Sequence, residues 1–139
     1  MTTKEWLMRA WRVDEKIDRK IEERERLAAR MTAVRSPQLT GMPRGGKNQD
    51  WTDMVAAVID ETDAINREIQ TLCRVKREVR EAIEAVEDMH QREVLELRYR
   101  NYMRWEEIAV AMNYDIRHVY RLHGEALCKV RRGESETCH

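Results

Sequence analysis

The sequence predicts an all-α protein: a long antiparallel helical hairpin, forming a coiled-coil arm, followed by a C-terminal helix-turn-helix. Three observations predict it. Residues 51 to 86 carry apolar side chains at 51, 55, 58, 62, 65, 69, 72, 76, 79, 83 and 86, alternating steps of four and three in which only Thr62 and Lys76 are polar. That spacing belongs to one face of a helix and cannot line one face of a strand. Both prolines and three of the five glycines fall within residues 35 to 50, so no helix runs through that stretch. A second, shorter pair of helical patterns flanks Asn113-Tyr114, with Asp115 placed to cap the later one. Composition agrees, since charged residues are 37%, Phe is absent and Gly is scarce, which suits surface-rich helices.

The first element, residues 3 to 34, places Leu7, Ala10, Asp14, Ile17, Ile21, Arg24, Ala28 and Met31 along one stripe, widened by Trp6, Trp11 and Leu27. The stretch from 35 to 50 is then a loop, and residues 51 to 87 form a helix of about 55 Å, long enough to stand out as an arm. Two seams of similar length around a short break pair most simply within one chain, matching residue i with about 86 − i. Met31 then faces Val55 and Leu7 faces Val79, while Arg24 falls opposite Thr62 and beside Glu61. The same seam could pair between two chains, and Met54, Ile59, Cys73 and Val75 lie just off it as a second apolar surface. The expectation is a hairpin that also self-associates, as a homodimer through the arm. Trp6, Trp11 and Trp51 sit on or beside these seams and are expected to anchor a core or an interface.

In the last part of the chain, Ile108, Ala109 and Met112 share the buried face of a first short helix, opened by Trp105. Asn113-Tyr114 form the turn. In the second helix Val119, Leu122 and Ala126 point inward, whereas Arg117, Tyr120, Arg121 and Gly124 share the opposite face. Two arginines there can grip guanine edges or phosphates, Tyr120 can donate to a phosphate or stack, and Gly124 permits close backbone approach. Charged helix faces are often merely solvated, but the charge distribution favours a polyanion. The chain is neutral overall, yet residues 113 to 132 hold Arg117, Arg121, Lys129, Arg131 and Arg132 against two acids, while residues 51 to 87 hold nine acids against five bases. Residues 88 to 132 are therefore read as a DNA-binding domain, residues 1 to 87 as the arm, and residues 133 to 139 as a disordered tail.

Other chemistry finds little support. Cys73, Cys128 and Cys138 are odd in number and lack a C-x-x-C pair, so neither a disulfide framework nor a zinc site is expected and a reducing cytoplasm is the natural setting. His118 and His123 are five apart, a poor helical spacing for a metal. The apolar run at Val55 to Ile59 is too short for a membrane span. No phosphate-binding, metalloprotease or nucleophile-elbow motif occurs, and the carboxylates lie among lysines and arginines on solvated faces. No enzyme, cofactor or metal is expected.

Residues 91 to 130 resemble region 4 of bacterial sigma factors, through Leu97-Arg98-Tyr99, Trp105-Glu106-Glu107-Ile108-Ala109, Val119-Tyr120-Arg121-Leu122-His123 and Ala126-Leu127. With its helical N-terminal arm the chain is more similar still to small sigma-region-4-like regulators encoded by phages and prophages of Gram-positive bacteria, a resemblance covering nearly the whole sequence. It implies a helix-turn-helix that reads a promoter element on double-stranded DNA and contacts host RNA polymerase, with Arg117, His118, Tyr120 and Arg121 facing the major groove. Arg104 stands where such proteins often carry a capping Thr or Ser. An arginine can hold the same phosphate but does not cap. No segment resembles the aromatic-rich region with which sigma factors melt promoters, so an accessory regulator is expected. The residues assigned to the DNA surface are Arg104, Asp115, Arg117, His118, Tyr120, Arg121, Gly124 and Lys129. Two other readings fit the same pattern: a phage small terminase subunit serving DNA packaging, and a sigma-like adaptor that grips polymerase without touching DNA.

Overall fold

A computed structural model describes residues 1–35 and 47–132. The fold is all-α. Its helices are α1 (Thr3–Met8), α2 (Val13–Arg35), α3 (Lys47–Glu84), α4 (Met89–Leu95), α5 (Trp105–Met112) and α6 (Ile116–Lys129), with a π-helical turn over Glu96–Arg100. Most of the expected 35–50 loop, and the tail at 133–139, lie outside the described residues. The chain divides into two compact units, one of Met1–Val13 with the residues from Cys73 onward, the other Asp14–Leu72. The expected division at 87/88 is therefore displaced. A heptad seam records that an apolar stripe is buried, not what buries it: along α3, Val58 and Ile65 belong to the core of one unit, and Val79 and Ile83 to that of the other.

Within Asp14–Leu72, α2 and α3 form the expected antiparallel hairpin around Leu27, Val58 and Ile65, with Met31 and Ile69 packed against them. Partner numbers fall along α3 as they rise along α2: Lys20 Nζ meets Glu68 Oε2 at 2.5 Å, and Arg24 donates to Asn66 Oδ1 at 2.8 Å. Arg24 was expected beside Glu61; its long side chain instead reaches a turn further along α3. Trp51, expected as an anchor, is 40% exposed, and Ile59 is 51% exposed.

The expected continuous helix over 3–34 is also interrupted. Thr2 and Glu5 form a reciprocal capping box at the start of α1, with bonds of 3.0 and 3.1 Å. After Met8 the backbone tightens into three-residue turns, Ala10 N to Leu7 O, Trp11 N to Met8 O and Val13 N to Ala10 O, and Arg12 takes a left-handed φ of 53°. A non-glycine residue there costs roughly 1–2 kcal/mol. The tight spacing turns Leu7, Ala10 and Val13 all inward, each under 5% exposed, which more than offsets that cost at about 1.5–3 kcal/mol per large buried side chain.

The unit formed by the two chain ends has its core in Leu7, Ala10, Val79, Ala82, Ile83, Val86, Val94, Leu95, Tyr99, Ile108, Val119, Leu122, Ala126 and Val130. Leu7 and Val79, expected to face one another, are both fully buried in it, and Arg9 NH2 pairs with Glu78 Oε2 at 3.3 Å. Asp88 caps α4 by accepting from Gln91 N at 2.9 Å. Asn101 N then reaches back to Glu96 O at 3.0 Å, the wider spacing of a π turn. This turn buries Tyr99 and directs Arg98 between two indoles, its guanidinium carbon 4.6 Å from the Trp11 ring and 4.5 Å from the Trp105 ring. Arg98 NH1 also donates to Met103 O at 2.9 Å.

Candidate nucleic-acid interface

The site is α6 and the turn that delivers it. Helix α5 begins at Arg104, which makes no side-chain cap, as expected from the missing Ser or Thr; Glu106 and Glu107 occupy its first turn, where negative charge offsets the helix dipole. Asn113 ends α5 in the left-handed conformation, φ 58° and ψ 44°, a geometry asparagine tolerates better than most residues. Tyr114 N donates back to Ala109 O at 3.0 Å, and the chain restarts as a helix at Asp115, whose carboxylate accepts from Arg117 N at 3.5 Å. A long bond of this kind is a weak cap, helped by His118 N donating to Asp115 O at 2.9 Å.

Helix α6 is sharply two-sided. Val119, Leu122 and Ala126 are buried, while Arg117, Tyr120, Arg121, Gly124, Glu125, Cys128 and Lys129 are exposed. No aliphatic side chain is among those exposed. From Arg117 to Lys129 the face extends about 18 Å at 1.5 Å per residue, a length a B-DNA major groove accommodates. Tyr120, 48% exposed, leans edge-on against Trp105 with ring centroids 5.4 Å apart, so its position is set by packing while its rim stays open. A methyl group built on Gly124 would meet nothing within 4 Å. Glycine there answers no need of the fold.

The remaining expected residues fall at the edges of this face. Asp115 is the exposed cap of α6. Arg104, at the start of α5, gives its Nε to Glu107 Oε1 at 2.7 Å. His118 is half-buried, its ring edge-on to Tyr114 with centroids 4.5 Å apart, and its Nδ1 accepts from Arg121 NH2 at 2.7 Å. Tyr114 in turn approaches His90 of α4, ring centroids 6.1 Å apart.

Behind the face lies a group that periodicity alone does not reveal. His123 is 8% exposed, stacked 5.7 Å from Tyr99 and edge-on to Trp105 at 4.6 Å, and its Nε2 is 2.7 Å from the Tyr99 hydroxyl. Burial, aided by Lys4 and Arg98, pushes its pKa down to about 4; burial raises that of Tyr99 to about 12 against the opposing pull of Arg98. Both groups are neutral at pH 7, and each satisfies the other through this one buried hydrogen bond. A lone histidine on an otherwise inward face, at 123 beside Leu122 and Ala126, is the one sign of this in the sequence.

No curated protein and no solved structure matches this chain. A family described as a protein of unknown function, DUF1492, matches residues 33–130. The matched span takes in α3 to α6 entire, and at about seven-tenths of the sequence it is decisive: the chain belongs to the DUF1492 family.

Proposed function

We propose that this protein is a sequence-specific DNA-binding transcriptional regulator of phage type that lays α6 in the major groove of a promoter or operator, contacts host RNA polymerase and dimerises through its helical arm. It acts by binding, not by catalysis. The observation carrying the reading is the outward face of α6, which offers Arg117, Arg121 and Lys129 as cations, Tyr120 as a polar aromatic and Gly124 as an unobstructed backbone, with its apolar residues on the other side. The exposed Trp51 and Ile59 of α3 support self-association, since an apolar surface in water favours being covered. No described helix is long and apolar enough to cross a membrane.

The test is selection of bound sequences from random duplex DNA with the purified protein, with and without RNA polymerase, followed by titration of the selected site across salt concentrations. The expected outcome is an enriched motif and affinity that falls steeply with salt, with Arg117→Ala and Arg121→Ala each weakening binding by roughly 1–3 kcal/mol if they read bases. Unchanged binding in both variants would remove α6 from the groove. Enrichment only in the presence of polymerase would mark an adaptor, and a ring of many subunits in solution would point to DNA packaging.

A further inference from the structure

The two arginines on the α6 face are not equivalent. Arg117 is exposed, and its guanidinium has no partner among the described residues. Arg121, one turn later, is tied through NH2 to His118 Nδ1 at 2.7 Å. A guanidinium carries only donors, so Nδ1 must be the acceptor and the imidazole holds no proton there. The ring is itself held, edge-on against Tyr114, whose position follows from the left-handed turn at Asn113. A chain of fixed groups thus runs from the turn to one arginine head and bypasses the other.

We infer that His118 is a positioning residue that pre-orients Arg121 to read a single guanine, while Arg117 and Lys129 serve the phosphate backbone. The inference rests on the proposed DNA reading and deepens it. An arginine recognises guanine by giving two parallel N–H bonds to O6 and N7. One NH2 hydrogen spent on His118 leaves the other, together with an NH1 hydrogen, as the required pair. Holding the head in advance also removes part of the rotamer entropy that an exposed arginine loses when it docks. Arg117, without such a brace, keeps its freedom and suits contacts that need charge more than direction. His118, expected from the sequence to face the groove, thereby acts through its neighbour.

The test uses the full-length protein and its selected duplex, compared with duplexes in which each guanine is replaced in turn by 7-deazaguanine, which lacks the N7 acceptor. For the wild type, one replacement is expected to weaken binding about tenfold, as loss of half of a bidentate contact allows. Arg117→Ala is expected to weaken binding to both duplexes alike and keep that ratio. His118→Ala and Arg121→Lys are expected to reduce the ratio below about threefold while binding to unrelated duplex persists. His118→Asn, whose Oδ1 stands close to the place of Nδ1, restores most of it. His118→Ala retaining the full ratio would overturn the inference, and so would a selected site in which no guanine responds to the replacement; in both cases DNA binding itself would stand. Absence of binding to any duplex would overturn the inference and the proposed function together.

Discussion

Lowering the pH from 7 to 4 should destabilise the unit that carries α6, through His123. This imidazole is neutral when folded, with its pKa pushed from 6.5 down to about 4 by burial first and by Lys4 and Arg98 after it. In the unfolded chain it takes a proton near pH 6.5, so between those values the unfolded state binds more protons and stability rises with pH. The contribution is complete above about pH 6.5, is lost as pH falls towards 4, and changes no further below that. The whole displacement corresponds to about 3 kcal/mol, and the residual solvent access of the ring reduces this to about 2 kcal/mol. For a chain of this size that is a fall in melting temperature of roughly 5–10 °C. Thermal unfolding followed by circular dichroism at half-unit pH steps measures it. Surface carboxylates titrate near the lower end of the range, so the reference is the double variant Tyr99→Phe/His123→Leu, which replaces both partners of the 2.7 Å hydrogen bond and leaves neither unsatisfied. Parallel melting curves for wild type and double variant across pH 7 to 4 would refute the reasoning.

Three further outcomes are expected. Gly124→Ala should stabilise the protein by about 0.5–1 kcal/mol, since a helical glycine is replaced where nothing obstructs a methyl, while weakening duplex binding; a lower melting temperature, or binding unchanged in an anisotropy titration, would contradict it. Arg104→Ser should supply the missing cap of α5 and gain about 1 kcal/mol, and it should make the salt dependence of DNA affinity shallower by about one phosphate contact. Arg98→Ala should cost about 2–3 kcal/mol in denaturant unfolding, from two indole contacts and the bond to Met103 O, and a loss under 1 kcal/mol would show that the two tryptophans pack equally well without it.

Much of this architecture is legible in the sequence because helices broadcast their buried face. The α3 seam, the split of α6 into Val119-Leu122-Ala126 and Arg117-Tyr120-Arg121, and the Asn113–Asp115 turn all follow from spacing and residue type. The missing cap at Arg104 does too. What escapes is of two kinds. Periodicity does not name the partner of a seam, so Val79 and Ile83 read as part of an arm although they close the core with Leu7 and Leu95. Nor does it foresee a break imposed from outside: nothing between Met8 and Val13 forbids a helix, and the left-handed Arg12 persists because tertiary contacts over-determine it. Nor does periodicity decide the burial of a single ring: His123 is taken inside by a phenol, and the Trp51 indole stays outside the core on α3. For the candidate face, the exposure of Arg117, Tyr120, Arg121 and Gly124 is readable from spacing, whereas the bond joining His118 to Arg121 is visible only in the fold.

The closure of one core by both ends of the chain bears on how the protein folds. Residues 1–13 and 73–132 meet in that core, and Arg132 NH1 donates to the carbonyl of Met1 itself. Joining segments some sixty residues apart through a flexible loop would cost roughly 3–4 kcal/mol in chain entropy. Pairing of α2 with α3 within Asp14–Leu72, as at Lys20 and Glu68, shortens that loop before the core closes, so its folding discharges part of that cost in advance. That hairpin is thus a folding aid: truncating Leu27 in its core, far in sequence from α6, should slow the refolding of α6 while leaving every contact of α6 intact.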